Sequence, residues 1–275
     1  MRVFVTGAAG MLGRDLVDLL AGRHEVTAVD LDVDVTDAAA VRAAVARARP
    51  QAIFHLAAWT DVDGAEEHEE RARAVNATGT ANVADAAREA GAALVVPSTD
   101  YVFDGASGAA YAEDDPTGPL GAYGRTKLEG EREALARHPA GTRIARTAWL
   151  YGGGGRNFVD TMRALGAERD EVTVVDDQEG SPTWTRDLAP ALEALVDLPA
   201  GVYHTAGGGS VTWAGFARAV FEEAGLDCRV VPVTTAQLGR PAPRPAHSPL
   251  AVTRPGAPRL RPWREALRDY LKEAE

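Results

Sequence analysis

Tyr123 and Lys127 stand four residues apart in Tyr123-Gly124-Arg125-Thr126-Lys127, a spacing that on a helix puts both side chains over one face. A phenol ordinarily keeps its proton up to a pKa of about 10, and a cation beside it favours phenolate. Such a pair is equipped to protonate an oxygen that gains negative charge. Upstream, an apolar run ends in Ser98-Thr99-Asp100-Tyr101-Val102-Phe103, where the Thr99 hydroxyl adds a hydrogen bond to that same oxygen. These groups suit the reduction of a ketone, provided a hydride donor lies on its other side.

The elements that must position them begin at the N-terminus. Arg2 to Thr6 reads as a short apolar strand followed at once by Gly7-Ala8-Ala9-Gly10-Met11-Leu12-Gly13, and Leu12, Leu16, Leu19 and Leu20 then keep helical spacing. The glycines therefore fall in a strand-to-helix turn, where backbone can approach a pyrophosphate and a helix N-terminus faces its charge. A second strand, Glu25 to Val29, leads into Asp30, whose carboxylate is placed for an adenosine ribose diol. Asp30 favours NADH over NADPH, because a carboxylate repels a 2′-phosphate. Arg14 offsets that repulsion, so both cofactors stay open. Gln51 to Leu56 reads as a third strand running into Ala57-Ala58-Trp59-Thr60-Asp61-Val62-Asp63, small residues first, which lets a cofactor approach the backbone.

Gly-x-x-Gly-x-x-Gly with Tyr-x-x-x-Lys resembles the extended short-chain dehydrogenase/reductase superfamily. The stretches Ser98 to Phe103, Arg146-Thr147-Ala148-Trp149-Leu150-Tyr151, Asp177 to Thr183 and Arg244 to Leu250 narrow the resemblance to the dTDP-4-dehydrorhamnose reductase family, nearly end to end. The resemblance implies a dinucleotide held by Gly7, Gly10, Met11, Leu12, Gly13 and Asp30, with Asp34 and Val35 at the adenine. It further implies that Ala57, Ala58, Trp59 and Thr60 pass the nicotinamide half, with Val62 bordering the sugar. Thr99, Tyr123 and Lys127 take the catalytic positions, Tyr123 and Lys127 also touching the cofactor. Asp100, Tyr101 and Trp149 fall at sugar-contacting positions, and Asn76 is the mid-helix asparagine that bonds backbone near the site. Hydride would pass from the nicotinamide to C4 of a dTDP-4-keto-6-deoxy sugar. Lys127 would hold the nicotinamide ribose and depress the Tyr123 pKa.

At 275 residues the chain is long enough for a full core, read here as a doubly wound parallel α/β sheet (Rossmann) with a smaller C-terminal substrate-binding portion. The dinucleotide-binding domain is placed at 1–150 and the sugar-nucleotide portion mainly at 151–275, some of its segments returning to the main domain. A formal charge of −11 argues against nucleic acid or an anionic membrane as partner. Cys228 is the sole cysteine, and no cluster shows metal-ligand spacing, so neither a disulfide nor a metal is expected. Met1 leads straight into the first strand and no apolar run reaches membrane length, which points to a cytoplasmic protein. A homodimer remains open.

Several residues carry two readings. Trp59 is a half-buried packing aromatic or a ligand contact; Trp149 stacks on the hexose or thymine, or belongs to the core; His55 reads as a core histidine. Glu66 to Ala90 is read as one long helix, and Glu129, Glu131 and Arg132 as its solvent-facing counterparts on the Tyr123 helix. Residues 240–262 hold seven prolines and, on the resemblance, form an ordered extended segment. Three functions compete: the sugar-nucleotide reductase, another 4-ketoreductase or epimerase for a nucleotide deoxysugar, and a cofactor-binding regulatory subunit of the kind that partners methionine adenosyltransferase. Retention of the Tyr/Lys pair disfavours the last.

Overall fold

A computed structural model describes residues 1–273. Its first half alternates strand and helix: β1 (Arg2–Thr6), α1 (Met11–Ala21), β2 (Glu25–Ala28), α2 (Ala38–Ala48) and β3 (Ala52–His55). Next come α3 (Val62–Glu67), α4 (Glu69–Arg73), a π-helical turn (Ala74–Gly79), α5 (Thr80–Ala90) and β4 (Ala93–Thr99). A 3-10 turn (Asp100–Val102), a long loop, α6 (Ala122–Arg137) and β5 (Thr142–Thr147) complete it.

The second half holds β6 (Leu150–Tyr151), α7 (Phe158–Glu168), β7 (Glu171–Val175), β8 (Glu179–Gly180), β9 (Thr183–Trp184) and α8 (Thr185–Leu195). It continues through β10 (Gly201–His204), β11 (Val211–Thr212), α9 (Trp213–Glu223), β12 (Arg229–Val233), α10 (Thr235–Leu238) and α11 (Trp263–Glu273).

Six strands form one sheet in the order β10-β5-β4-β3-β1-β2, every pair parallel. Such strands are covered on both faces and read as continuous apolar runs rather than alternating ones. Val3, Val5, Phe54 and Val95 face Leu12, Leu16 and Leu20 of α1 and Leu188, Leu192 and Leu195 of α8. Phe4, Ile53, Leu94 and Ile144 face α2, α5 and α6 on the other side. This is the doubly wound sheet expected. The order turns back between β1 and β3, and a crevice opens at the carboxyl ends of the strands at that point.

The sheet does not stop at residue 150: β10 pairs with β5 from Gly201↔Arg143 to His204↔Arg146, and α8 packs on α1. A second core gathers Tyr151, Val159, Val172, Trp184, Phe216, Phe221, Leu267 and Tyr270, around the parallel pair β7 and β12. The strand β12 carried no clear sequence signal.

Two expectations are corrected. The segment from Glu66 to Ala90 is not one helix. His68, at φ −130°, separates α3 from α4, and the ladder then widens into the π turn around Asn76. That turn lets α6 come close, since a Cβ at Gly130 would overlap the Asn76 carbonyl. Glu131 is not solvent-facing: it is buried and paired with Arg146, whereas Glu129 pairs with Arg73 nearer the surface. The proline-rich stretch lacks helix and strand but is pinned. Tyr111 N donates to Pro249 O, Ala251 N to Tyr111 O and Ser248 N to Glu179 O, each at 2.8 Å.

Candidate active site

The crevice is a cleft of ≈ 670 Å³ between the ends of β1, β2, β3 and β4 and the start of α6. Its floor is the turn after β1. Gly7 sits at φ +66°, and a Cβ there would lie 2.6 Å from Ala57 N, so the two turns approach as closely as backbone allows. A Cβ on Gly13 would overlap the Gly7 carbonyl. The first turn of α1 has neither a side-chain cap nor an acidic residue, which leaves its amides for an anion. These features fit a dinucleotide pyrophosphate.

Gly7, Gly10, Met11, Leu12, Gly13, Asp30, Asp34, Val35, Ala57, Ala58, Trp59, Thr60, Tyr123 and Lys127 all line this cleft. At the far end, Asp30 N donates to Asp32 Oδ1 at 2.7 Å, and Thr36 donates to Asp34 Oδ1 from both its amide and its hydroxyl at 2.8 Å. Leu31 between them is 94% exposed. Arg14 does not reach this end: its Nε donates to Ala9 O at 3.0 Å, and its guanidinium lies against Gly154 in the loop between β6 and α7. Trp59 is half-buried and its backbone is fixed by Asn76, whose Oδ1 accepts from Trp59 N at 2.8 Å and whose Nδ2 donates to Trp59 O at 3.2 Å. His55 is a core residue, bonded to Thr6 and Thr80, and burial pushes its pKa down to about 3.

Lys127 Nζ donates to Pro97 O at 2.8 Å. Burial lowers this amine to about 8, with Glu131 pulling the other way. The Tyr123 phenol is pushed up to about 12, first by burial and also by Asp100, while Thr99 acts in the lowering sense. The expected depression of Tyr123 by Lys127 is therefore corrected: the amine points to a carbonyl of β4, and desolvation dominates at the phenol. A phenol so placed keeps its proton throughout the neutral range.

The remaining expected residues do not line the cleft itself. Thr99 closes β4, its Oγ1 donating to Asp100 Oδ1 and accepting from Tyr101 N, both at 3.2 Å. The Tyr101 ring meets Tyr123 edge-on at 5.7 Å. Asp100 is 2% exposed, and Ser248 Oγ donates to its Oδ2 at 2.6 Å. Burial pushes this carboxyl up to about 7, against the hydrogen bonds that lower it. Val62 opens α3, two residues past Thr60 of the lining. Trp149 adopts φ +47°, stacks on Trp213 at 3.5 Å and 5°, and lies so near Gly180 that a Cβ there would sit 2.5 Å from its ring.

The lining also holds residues not expected from the sequence: Leu31, Val33, Leu56 and Val75 on the cofactor side, and Pro97, Ser98, Thr147 and Leu150. Thr147 pairs in register with Thr99 across β4 and β5, and its buried Oγ1 meets no hydrogen-bond partner among the described residues. The Arg146-Thr147 run was visible as family sequence, but only the strand register sets it opposite Thr99.

The parallel sheet, the glycine turn at its switch point and the Tyr/Lys helix define a Rossmann-type protein of the extended dehydrogenase/reductase class. The family model described as "RmlD substrate binding domain" matches residues 1–275. The chain belongs to this family, that of the dTDP-4-dehydrorhamnose reductases. It is 50% identical to a dTDP-4-dehydrorhamnose reductase of Streptomyces griseus, over 97% of this chain and 91% of that one. It is 47% identical to a probable dTDP-4,6-dihydroxy-2-methyloxan-3-one 4-ketoreductase of Streptomyces antibioticus, over 99% and 95%. The crystal structure of the Bacillus anthracis dTDP-4-dehydrorhamnose reductase in complex with NADP superposes with a TM-score of 0.96 at 38% identity, covering 99% of each chain.

Proposed function

We propose that this protein catalyses the NAD(P)H-dependent reduction of the C4 ketone of a dTDP-4-keto-6-deoxy sugar, dTDP-4-dehydro-L-rhamnose to dTDP-L-rhamnose. The observation that carries this reading is that Tyr123 and Lys127 open from α6 into the same cleft as the glycine turn, with Thr99 and Tyr101 packed at the phenol. A bound nicotinamide supplies the hydride. Tyr123, protonated, gives its proton to the oxygen that becomes the C4 hydroxyl, so the ketone gains one hydride at carbon and one proton at oxygen. Thr99 polarises the carbonyl, Lys127 holds the nicotinamide ribose, and Asp30 and Asp34 address the adenosine. Asp100, Tyr101, Val62 and Trp149 border the sugar nucleotide.

Residues 1–150 are read as the dinucleotide-binding domain. The sugar-nucleotide portion is read as 151–275 apart from β10, a strand of the main sheet, and α8, which packs on α1 against that sheet. Among the described residues no helix is long and apolar enough to cross a membrane. The reading includes a cytoplasmic location and a homodimer, the latter checked by sedimentation.

Oxidation of NADH and NADPH by the purified chain with dTDP-4-dehydrorhamnose tests the activity, and binding of both reactants without turnover would leave a cofactor-binding module. The Streptomyces antibioticus relative supports a second reading, reduction of a different nucleotide deoxysugar. Product stereochemistry by NMR separates the two.

A further inference from the structure

Behind the cleft, a buried ionic cluster joins the three elements that carry the site. Glu131 lies one turn past Lys127 on α6 and is 3% exposed. Arg146 of β5 donates to it from Nη2 to Oε2 at 2.7 Å and from Nε to Oε1 at 3.0 Å. Ser98 of β4 donates from Oγ to Oε1 at 2.5 Å. Ser98 precedes Thr99, and Arg146 precedes Thr147. The rest of the guanidinium is also engaged, with Nη1 donating to Glu113 O at 3.2 Å and its carbon 5.1 Å from the Phe103 ring centroid.

A buried ion pair is commonly no more stabilising than apolar residues of the same volume, because both charges must leave water. Its placement here, one turn along α6 from Lys127 and next in the chain to the Pro97 carbonyl that holds the amine, points to a role beyond cohesion. The chain has two lysines, Lys127 and Lys272, among 29 Lys and Arg residues.

We infer that Glu131, held by Ser98 and Arg146, is a positioning residue for Lys127, its buried carboxylate keeping the amine charged and aimed along the cleft. The two residues are one turn apart on α6 and are joined through β4, where the Pro97 carbonyl accepts from Lys127 and the next residue, Ser98, donates to Glu131; the meaning for turnover rests on the reductase reading above. Other titratable groups on the surrounding elements do not replace Glu131. His55 of β3 is neutral, its pKa pushed down to about 3 by burial, and Tyr123 on the same helix is protonated. Asp100, after β4, is bound by Thr99 and Ser248 and raised to about 7. Glu113 is held by Thr253, with His204 of β10 beside it. Against the burial that lowers Lys127 to about 8, Glu131 acts in the raising direction. Without its charge, Lys127 loses its proton at lower pH.

The test uses the full chain with its lysines labelled at Cε with carbon-13, which gives two resonances, Lys272 being the exposed internal reference. In Glu131→Gln, which keeps an acceptor and removes the charge, the Lys127 midpoint falls by on the order of one pH unit while that of Lys272 stays. The alkaline limb of kcat/KM moves by the same amount. The Gln variant leaves the Arg146 charge without its partner, so the double variant Glu131→Gln with Arg146→Gln, checked by circular dichroism, replaces it should it not fold. The double variant shifts Lys127 in the same direction by less, because the opposing Arg146 charge leaves with the carboxylate. An unmoved Lys127 midpoint in a folded variant overturns the inference. A shifted midpoint in a chain that reduces no dTDP-4-keto sugar upholds the link and overturns the reductase reading instead.

Discussion

Along the cofactor half of the cleft, each residue follows the end of its own strand: Gly7 to Gly13 after β1, Asp30 to Val35 after β2, Ala57 to Thr60 after β3. Among the residues proposed to border the sugar nucleotide, beside the cleft, position depends on contacts between distant segments. Asp100 is bonded to Ser248, Tyr101 lies beside Tyr123 and Arg244, and Trp149 stacks on Trp213 against Gly180. The first half uses backbone amides and small residues, which a strand end and a turn place with little help. The second uses large side chains held by another part of the fold. Trp149 even carries a left-handed backbone, at φ +47°, a conformation that costs about 1–3 kcal/mol and persists because its surroundings over-determine it.

Breaking the join between the halves has the largest expected effect. Tyr123→Phe lowers turnover by roughly 10²- to 10⁴-fold while cofactor affinity, read by fluorescence titration, changes little. Unchanged turnover would remove Tyr123 from its role. On the cofactor side, Asp30→Ala weakens NADH by roughly tenfold, the scale of a lost charge-assisted hydrogen bond, and NADPH by less. The KM for the sugar nucleotide stays as it was, and equal weakening of the two cofactors discredits the ribose contact. On the substrate side, Trp213→Leu removes the stacking partner of Trp149 and raises the sugar-nucleotide KM by about fivefold, from a pair worth about 0.5–1.5 kcal/mol. Cofactor affinity is the control here, and a matching fall in it erases the distinction between the halves.

The same contrast explains what was legible. The glycine turn, Asp30 and the Tyr/Lys spacing are local patterns, and every residue expected at the cofactor lines the cleft. Glu131 misled because Glu129, Glu131 and Arg132 look like one solvated face, and nothing in their order reveals that Arg146 arrives from the neighbouring strand. The helix from Glu66 misled for a related reason. Its residues all favour helix, and the break at His68 and the widened turn at Asn76 accompany the close approach of α6 at Gly130.

By itself the sequence determined the alternation of strand and helix, the glycine turn and the pairing of Tyr123 with Lys127 on one helix face, because apolar periodicity, glycine and fixed spacing act within a few residues of chain. Only the tertiary structure decided the charge states and the surroundings of Asp100, Tyr101 and Trp149. Burial sets the proton affinities of Tyr123, Lys127 and Asp100, and burial is a property of what packs around a group. The return of α8 and β10 to the main sheet, the pinning of residues 240–262 and the pairing of Glu131 with Arg146 all join segments far apart in the chain, where no local pattern reaches.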